Sequence, residues 1–119
     1  MAYHTKVLSL LAVGVMSLPL VASASSSAQA DILSVIARCE SGGRQFDARG
    51  RVLRNPSNPR AVGKYQIIEA HLPKARCMGM NIYLESGNEA FARWLFKEEG
   101  TRPWNASRHC WGRQHTALN

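Results

Sequence analysis

The sequence predicts an α+β domain, mostly α-helical, with one small β-hairpin. Three observations predict it. An apolar stripe at helical spacing runs from Ile32 to Ser41. A second and stronger helical signature runs from Ser86 to Gly100. Between them lies a polar segment, Arg44 to Arg60, broken by Gly50, Pro56 and Pro59, whose composition suits turns and short strands. Residues 1–30 read as an export leader, 31–111 as the folded domain and 112–119 as a polar tail.

The leader is the first element in order. Lys6 precedes an apolar run from Val7 to about Ala22, which ends in small residues with two A-x-A cleavage sites, Ala22-Ser23-Ala24 and Ala28-Gln29-Ala30. The run is too short and wrongly flanked for a stable membrane span, so a secretory signal is expected, with an uncleaved anchor as the alternative. Cleavage before Asp31 would let Asp31 cap the first helix. The protein is then expected in the periplasm or secreted. What remains is one domain of a size that is marginal without a covalent staple. All three cysteines, Cys39, Cys77 and Cys110, lie in it. Three is odd, so one thiol is left over, and spacing alone does not choose the pair.

Losing the leader removes one of 15 Lys and Arg and none of the 8 Asp and Glu, leaving a charge of about +6. An exported protein this basic favours polyanions such as cell-wall polymers. The cations are spread, with no compact basic run, and no nucleic-acid partner is expected.

Within the domain, Ile32, Leu33, Val35, Ile36 and Cys39 form one apolar face of the first helix. The segment from Gln45 to Arg54 is expected to form the hairpin, turning near Ala48-Arg49-Gly50. A second helix is expected to begin at Gly63-Lys64, to carry Tyr65, Ile67 and Ile68, and to be interrupted near Pro73. Ser86 to Glu89 reads as a capping box for the third helix, with Phe91, Trp94 and Leu95 in the core and Gly100 as the stop. A last short helix is expected over Trp104 to Cys110.

The chemistry concentrates at Glu40. It closes the apolar first helix and is followed by Ser41-Gly42-Gly43. A carboxyl desolvated at such a position has a raised pKa, which general-acid work at neutral pH needs; a solvated helix-end residue is the plainer alternative. Three pieces stand in order: Cys39-Glu40-Ser41-Gly42-Gly43, then Gly63-Lys64-Tyr65-Gln66-Ile67, then Pro103 to Trp111. Together they resemble the lysozyme-like superfamily of peptidoglycan-cleaving enzymes, in particular soluble lytic transglycosylases and, in Cys-Glu-Ser-Gly-Gly, resuscitation-promoting factors. The resemblance covers essentially the whole domain and implies a lysozyme-like fold.

It implies that Glu40 is the catalytic acid, with Ser41 supporting the site. Gly63 would let the backbone approach the cleft, and Gln66 would hydrogen-bond substrate. Tyr65, the neighbour of Gln66, is added to the substrate-binding set, and Tyr65 and Tyr83 could each supply a hydroxyl. The resemblance also pairs Cys39 with Cys110; the rival pairing is Cys77 with Cys110, leaving Cys39 buried and free. The second motif departs from the family's Gly-Leu-Met-Gln by carrying Lys64-Tyr65. The family's Ala-Tyr-Asn has no match, and no role is carried onto Trp104-Asn105.

Hydrolases of this bond employ two carboxylates. Asp47 is the nearest candidate for a second, and reads more readily as a turn residue. A single Glu suits a lytic transglycosylase, which makes 1,6-anhydro ends without water. The expected function is therefore cleavage of the β-1,4 bond between N-acetylmuramic acid and N-acetylglucosamine. The alternatives are a muramidase and a non-catalytic basic module that binds cell wall; a membrane-active cationic protein finds no amphipathic basic helix to support it. Peptidoglycan glycan strands are the expected partner of a monomer, with a secretion or conjugation apparatus as the setting. No cofactor is expected. His109, Cys110 and His115 lack zinc-type spacing and a fourth ligand. Asn105-Ala106-Ser107 is a glycosylation sequon by coincidence.

Overall fold

The computed structural model describes residues 14–16 and 24–116, with side chains described over 14–16 and 32–114. Most of the expected leader, and residues 117–119 of the expected tail, lie outside the described residues. No helix among the described residues is long and apolar enough to cross a membrane.

Helix α1 spans Ala24–Ser41 and buries Ile32, Leu33, Val35 and Ile36. It starts earlier than expected, so Asp31 lies inside it and does not cap it. The physical reason is local. Ala24 to Ala30 holds alanine, serine and glutamine with no Gly or Pro, and extending an existing helix is far easier than starting one. At the other end, Gly42 and Gly43 adopt φ of 67° and 77° and donate to the carbonyls of Arg38 and Ala37. That left-handed pair ends the helix directly after Glu40 and Ser41.

The expected hairpin is reduced to a single antiparallel bridge, Phe46 to Val52, around the Ala48–Gly50 turn. The sheet proper lies downstream, in three antiparallel strands ordered β1-β2-β3: β1 Arg54–Asn55, β2 Asn58–Val62 and β3 Ile67–Ile68. Asn58 and Val62 pair with the neighbouring residues Asn55 and Arg54, so the ladder skips Pro59, which has no N–H to give.

The helix expected from Gly63 does not form. Residues 63–66 are the turn between β2 and β3, with φ of 78° at Gly63 and 50° at Gln66. A 3-10 turn at Glu69–His71 leads into α2, Leu72–Cys77. Pro73 sits in the first turn of α2, where its missing N–H would have had no partner anyway. It starts that helix; it does not break one.

Helix α3, Glu85–Glu99, begins two residues earlier than the capping box requires. Its N-cap is Leu84, whose apolar side chain has no cap bond to make, and Glu89 pairs with Lys64 (3.3 Å) and Arg93 (2.7 Å). Phe91 and Leu95 are core residues as expected, whereas Trp94 is half-buried beneath Lys74. The last helix divides into a 3-10 helix, Arg102–Ser107, kinked at Trp104, and α4, Arg108–Thr116. The expected polar tail is therefore helical as far as Thr116.

The described residues thus form an α+β fold of four α-helices and a small sheet. The core gathers α1, Val62, Ile67, Ile82, Phe91, Trp104 and Trp111. Cys39 and Cys110 are bonded, with Cα atoms 5.9 Å apart, which fastens the last turn of α1 to α4. A loop of 71 residues closed this way contributes about 4 kcal/mol in the chain-entropy picture. The rival pair is excluded, and Cys77 is free and exposed.

Candidate active site

Glu40 stands half-buried where the end of α1 meets the 102–107 segment. Two cavities open onto it. One, of about 300 Å³, is walled by Ser41, Arg44, Leu53, Arg54, Asn55, Pro56 and Gln66. The other, of about 280 Å³, continues past Asn55 and Gln66 to Asn58, Ile68, Pro103, Trp104 and Ala106. A further depression shares Gln66, Ile68, Pro103 and Trp104 with the second and ends at His71 and Glu99. The shared walls make one cleft with Glu40 and Gln66 at its middle.

Burial pushes the Glu40 carboxyl above its ordinary value, because the charge loses water there. A hydrogen bond donated by the Ser107 hydroxyl to Oε1 partly opposes the shift. No cation contributes to it. Neither cavity that Glu40 lines contains a second carboxylate.

Asp47 is occupied elsewhere. Its Oδ1 accepts from the N–H groups of Arg49 and Arg51, and Oδ2 pairs with the Arg51 guanidinium at 3.0 Å. The Arg51 backbone bond and then these other contacts hold its carboxyl below the usual range. It is a turn-making residue.

Ser41 does line the cleft, and its hydroxyl donates to the Lys64 carbonyl at 2.6 Å while accepting from Arg44 N–H at 3.1 Å. It ties the end of α1 to the 63–66 turn. Gln66 is 9% exposed, and its Nε2 donates to the Gly63 carbonyl at 2.8 Å. Its Oε1 has no hydrogen-bond partner, and among the described residues no other buried side-chain polar atom shares that state. A buried acceptor left so costs about 1–3 kcal/mol, which a ligand N–H or O–H would recover.

Gly63 does its work from beneath. A Cβ there would lie 2.5 Å from the side-chain amides of both Asn88 and Gln45. Those two buried amides hold the turn. Lys64 N–H donates to Gln45 Oε1 (2.8 Å) and Tyr65 N–H to Asn88 Oδ1 (2.9 Å), while Asn88 Nδ2 donates to the Val62 and Ile82 carbonyls. Tyr65 itself is 3% exposed and lines neither cavity beside Glu40. Its ring packs edge-on near Trp104, whose indole N–H donates to the Tyr65 carbonyl at 2.9 Å. It supports the cleft floor from below. Tyr83 sends its hydroxyl to Glu69, away from the cleft.

Sequence reasoning missed Ser107, Gln45 and Asn88. Ser107 lies 67 residues from Glu40, inside what read as a chance sequon. The one signal pointing to it was the Cys39–Cys110 pairing, which brings the neighbours of both cysteines together. The two amides carry no motif. A separate cavity of about 340 Å³ between Leu72, Arg76 and Tyr83 has no acid in its walls, and of the candidate residues it holds Tyr83 alone. Among the described residues no group of three or more His, Cys, Asp or Glu could hold a metal ion. No family model matches the chain, and no curated protein or solved structure matches it either.

Proposed function

We propose that this protein is an exported lytic transglycosylase that cuts peptidoglycan glycan strands, with Glu40 as its only catalytic carboxyl. The observation that carries the reading is the setting of Glu40: half-buried, raised in pKa, central in an extended cleft, and without a second acid in the cavities it lines. A raised pKa enlarges the protonated share of the carboxyl at any given pH, the direction a general acid requires.

In the proposed reaction Glu40 gives its proton to the glycosidic oxygen as the bond from that oxygen to C1 of the muramic acid breaks. The resulting carboxylate then takes the proton of the C6 hydroxyl as O6 bonds to C1. Glu40 ends as it began, and the product carries a 1,6-anhydro ring. No base for water is needed, so the commitment of Asp47 to its own turn is no obstacle. Gln66 Oε1, the orphaned acceptor beside Glu40, suits an acetamido N–H of the sugar. The net basic charge suits an anionic wall, and the small domain suits local opening of it where a secretion or conjugation apparatus passes.

The test is a digest of purified peptidoglycan by the protein lacking its leader, beside Glu40→Gln, with fragments weighed by mass spectrometry. Anhydro-muropeptides from the wild type alone are expected. Reducing ends would make it a muramidase. Wall binding without fragments would make it a carbohydrate-binding module.

A further inference from the structure

The hydroxyl of Ser107 has two acceptors within reach. One is Oε1 of Glu40, and the other is the carbonyl of Trp104 at 3.1 Å. That carbonyl is itself fixed, since the Trp111 indole N–H donates to it at 2.9 Å. A hydroxyl carries one proton to give and lone pairs to receive. With Glu40 ionised, Ser107 donates to the carboxylate. With Glu40 protonated on Oε2, Oε1 is the carbonyl oxygen of the acid, a weaker acceptor, and the hydroxyl keeps it or turns its proton to the Trp104 carbonyl. Both states are satisfied without moving a heavy atom.

We infer that Ser107 is the positioning residue of Glu40, serving the carboxyl in both protonation states and leaving Oε2 to face the substrate. The inference rests on the glycan-cleaving reading above for its chemical meaning. In that reaction Glu40 is acid, then carboxylate, then acid again, so a partner that fits both forms of the carboxyl serves it at each step. The placement is covalently secured. Cys39 directly precedes Glu40, Cys110 follows Ser107 by one turn, and the two are bonded. The segment bearing Ser107 thus keeps its register on α1.

Other charges do not supply the same service. The cations lining the cleft with Glu40 are Arg44, in the loop after α1, and Arg54 of β1, and Arg54 is paired with Glu69 at 2.7 Å. The 102–107 wall brings no charge into the two cavities beside Glu40: Arg102 pairs with Glu99 (3.0 Å), which with His71 marks the far end of the cleft, and Arg108 of α4 is exposed.

The experiment compares Ser107→Ala and Ser107→Thr, and repeats the contrast with Ser107→Val, which matches threonine in shape. Turnover on peptidoglycan is followed against pH, and the Glu40 carboxyl is followed by carbon NMR, assigned with Glu40→Gln. Loss of a hydrogen bond to a charged group predicts kcat lower by about ten- to hundredfold in Ser107→Ala and Ser107→Val. Binding to wall material should persist. The alkaline limb of the rate and the NMR midpoint should both move to higher pH, and threonine should restore them. An unmoved midpoint in the alanine and valine variants overturns the inference, as does a threonine variant no better than valine. If the wild type releases no fragments, the proposed function fails, and the NMR titration still decides whether Ser107 serves Glu40.

Discussion

In the folded protein Glu40 ionises against a burial cost that it escapes in the unfolded chain. Its folded pKa is raised above the ordinary 4.5, so between the two values the folded state holds more proton. Stability from this group is complete below about pH 4.5 and declines as pH rises through the raised value. Glu40→Gln removes the decline. The variant should melt at a higher temperature than the wild type at pH 7, with the gap closing below pH 4.5 in thermal scans across pH. An equal gap at both pH values would mean that the carboxyl does not bear this cost. A residue that weakens the fold at neutral pH while sitting in a cleft suits the proton donor proposed above. The candidate acid was legible in the sequence because helix end, Gly pair and Ser41 are contiguous. Its partner Ser107 was not, because only the folded chain brings residue 107 to residue 40.

Among the elements, α1 and α3 were legible because periodic apolar residues suffice to place a core-facing helix. The 63–66 turn was not. Tyr65, Ile67 and Ile68 are compatible with helical or strand spacing, and the choice is made by Gln45 and Asn88, which capture the N–H groups of Lys64 and Tyr65. Glu89, the acid of the expected capping box, pairs with Lys64 across the same turn. That turn thus takes its form from partners that lie 19 to 25 residues away. Asn88→Ala would strip the turn of three hydrogen bonds in a fully buried place. A loss of about 3 kcal/mol or more is expected in urea unfolding, from the buried Tyr65 N–H left unpaired and the bonds to the Val62 and Ile82 carbonyls lost, although Gln45 Nε2 still donates to Ile82. A loss under 1 kcal/mol would show that the turn stands without its amide.

At the scale of the whole molecule the fold class was legible, while the sheet was placed too early along the chain. Polar, Pro-containing residues 54–62 gave no alternating pattern, and their pairing is set by the irregular β1–β2 ladder. The odd cysteine count left the pair open, and the family resemblance named the one that forms. The Cys39–Cys110 bond has a topological consequence. It makes residues 39–110 a closed ring with Glu40 and Ser107 just inside the clasp, and every strand and the exposed Ala48–Gly50 turn lie on the ring. A protease that cuts once at Arg49 opens the ring without dividing the chain. The nicked protein should run as one species on a non-reducing gel and as two after thiol treatment; two species without reductant would mean the clasp was open. Clipped once in that turn, such a molecule stays in one piece around its cleft.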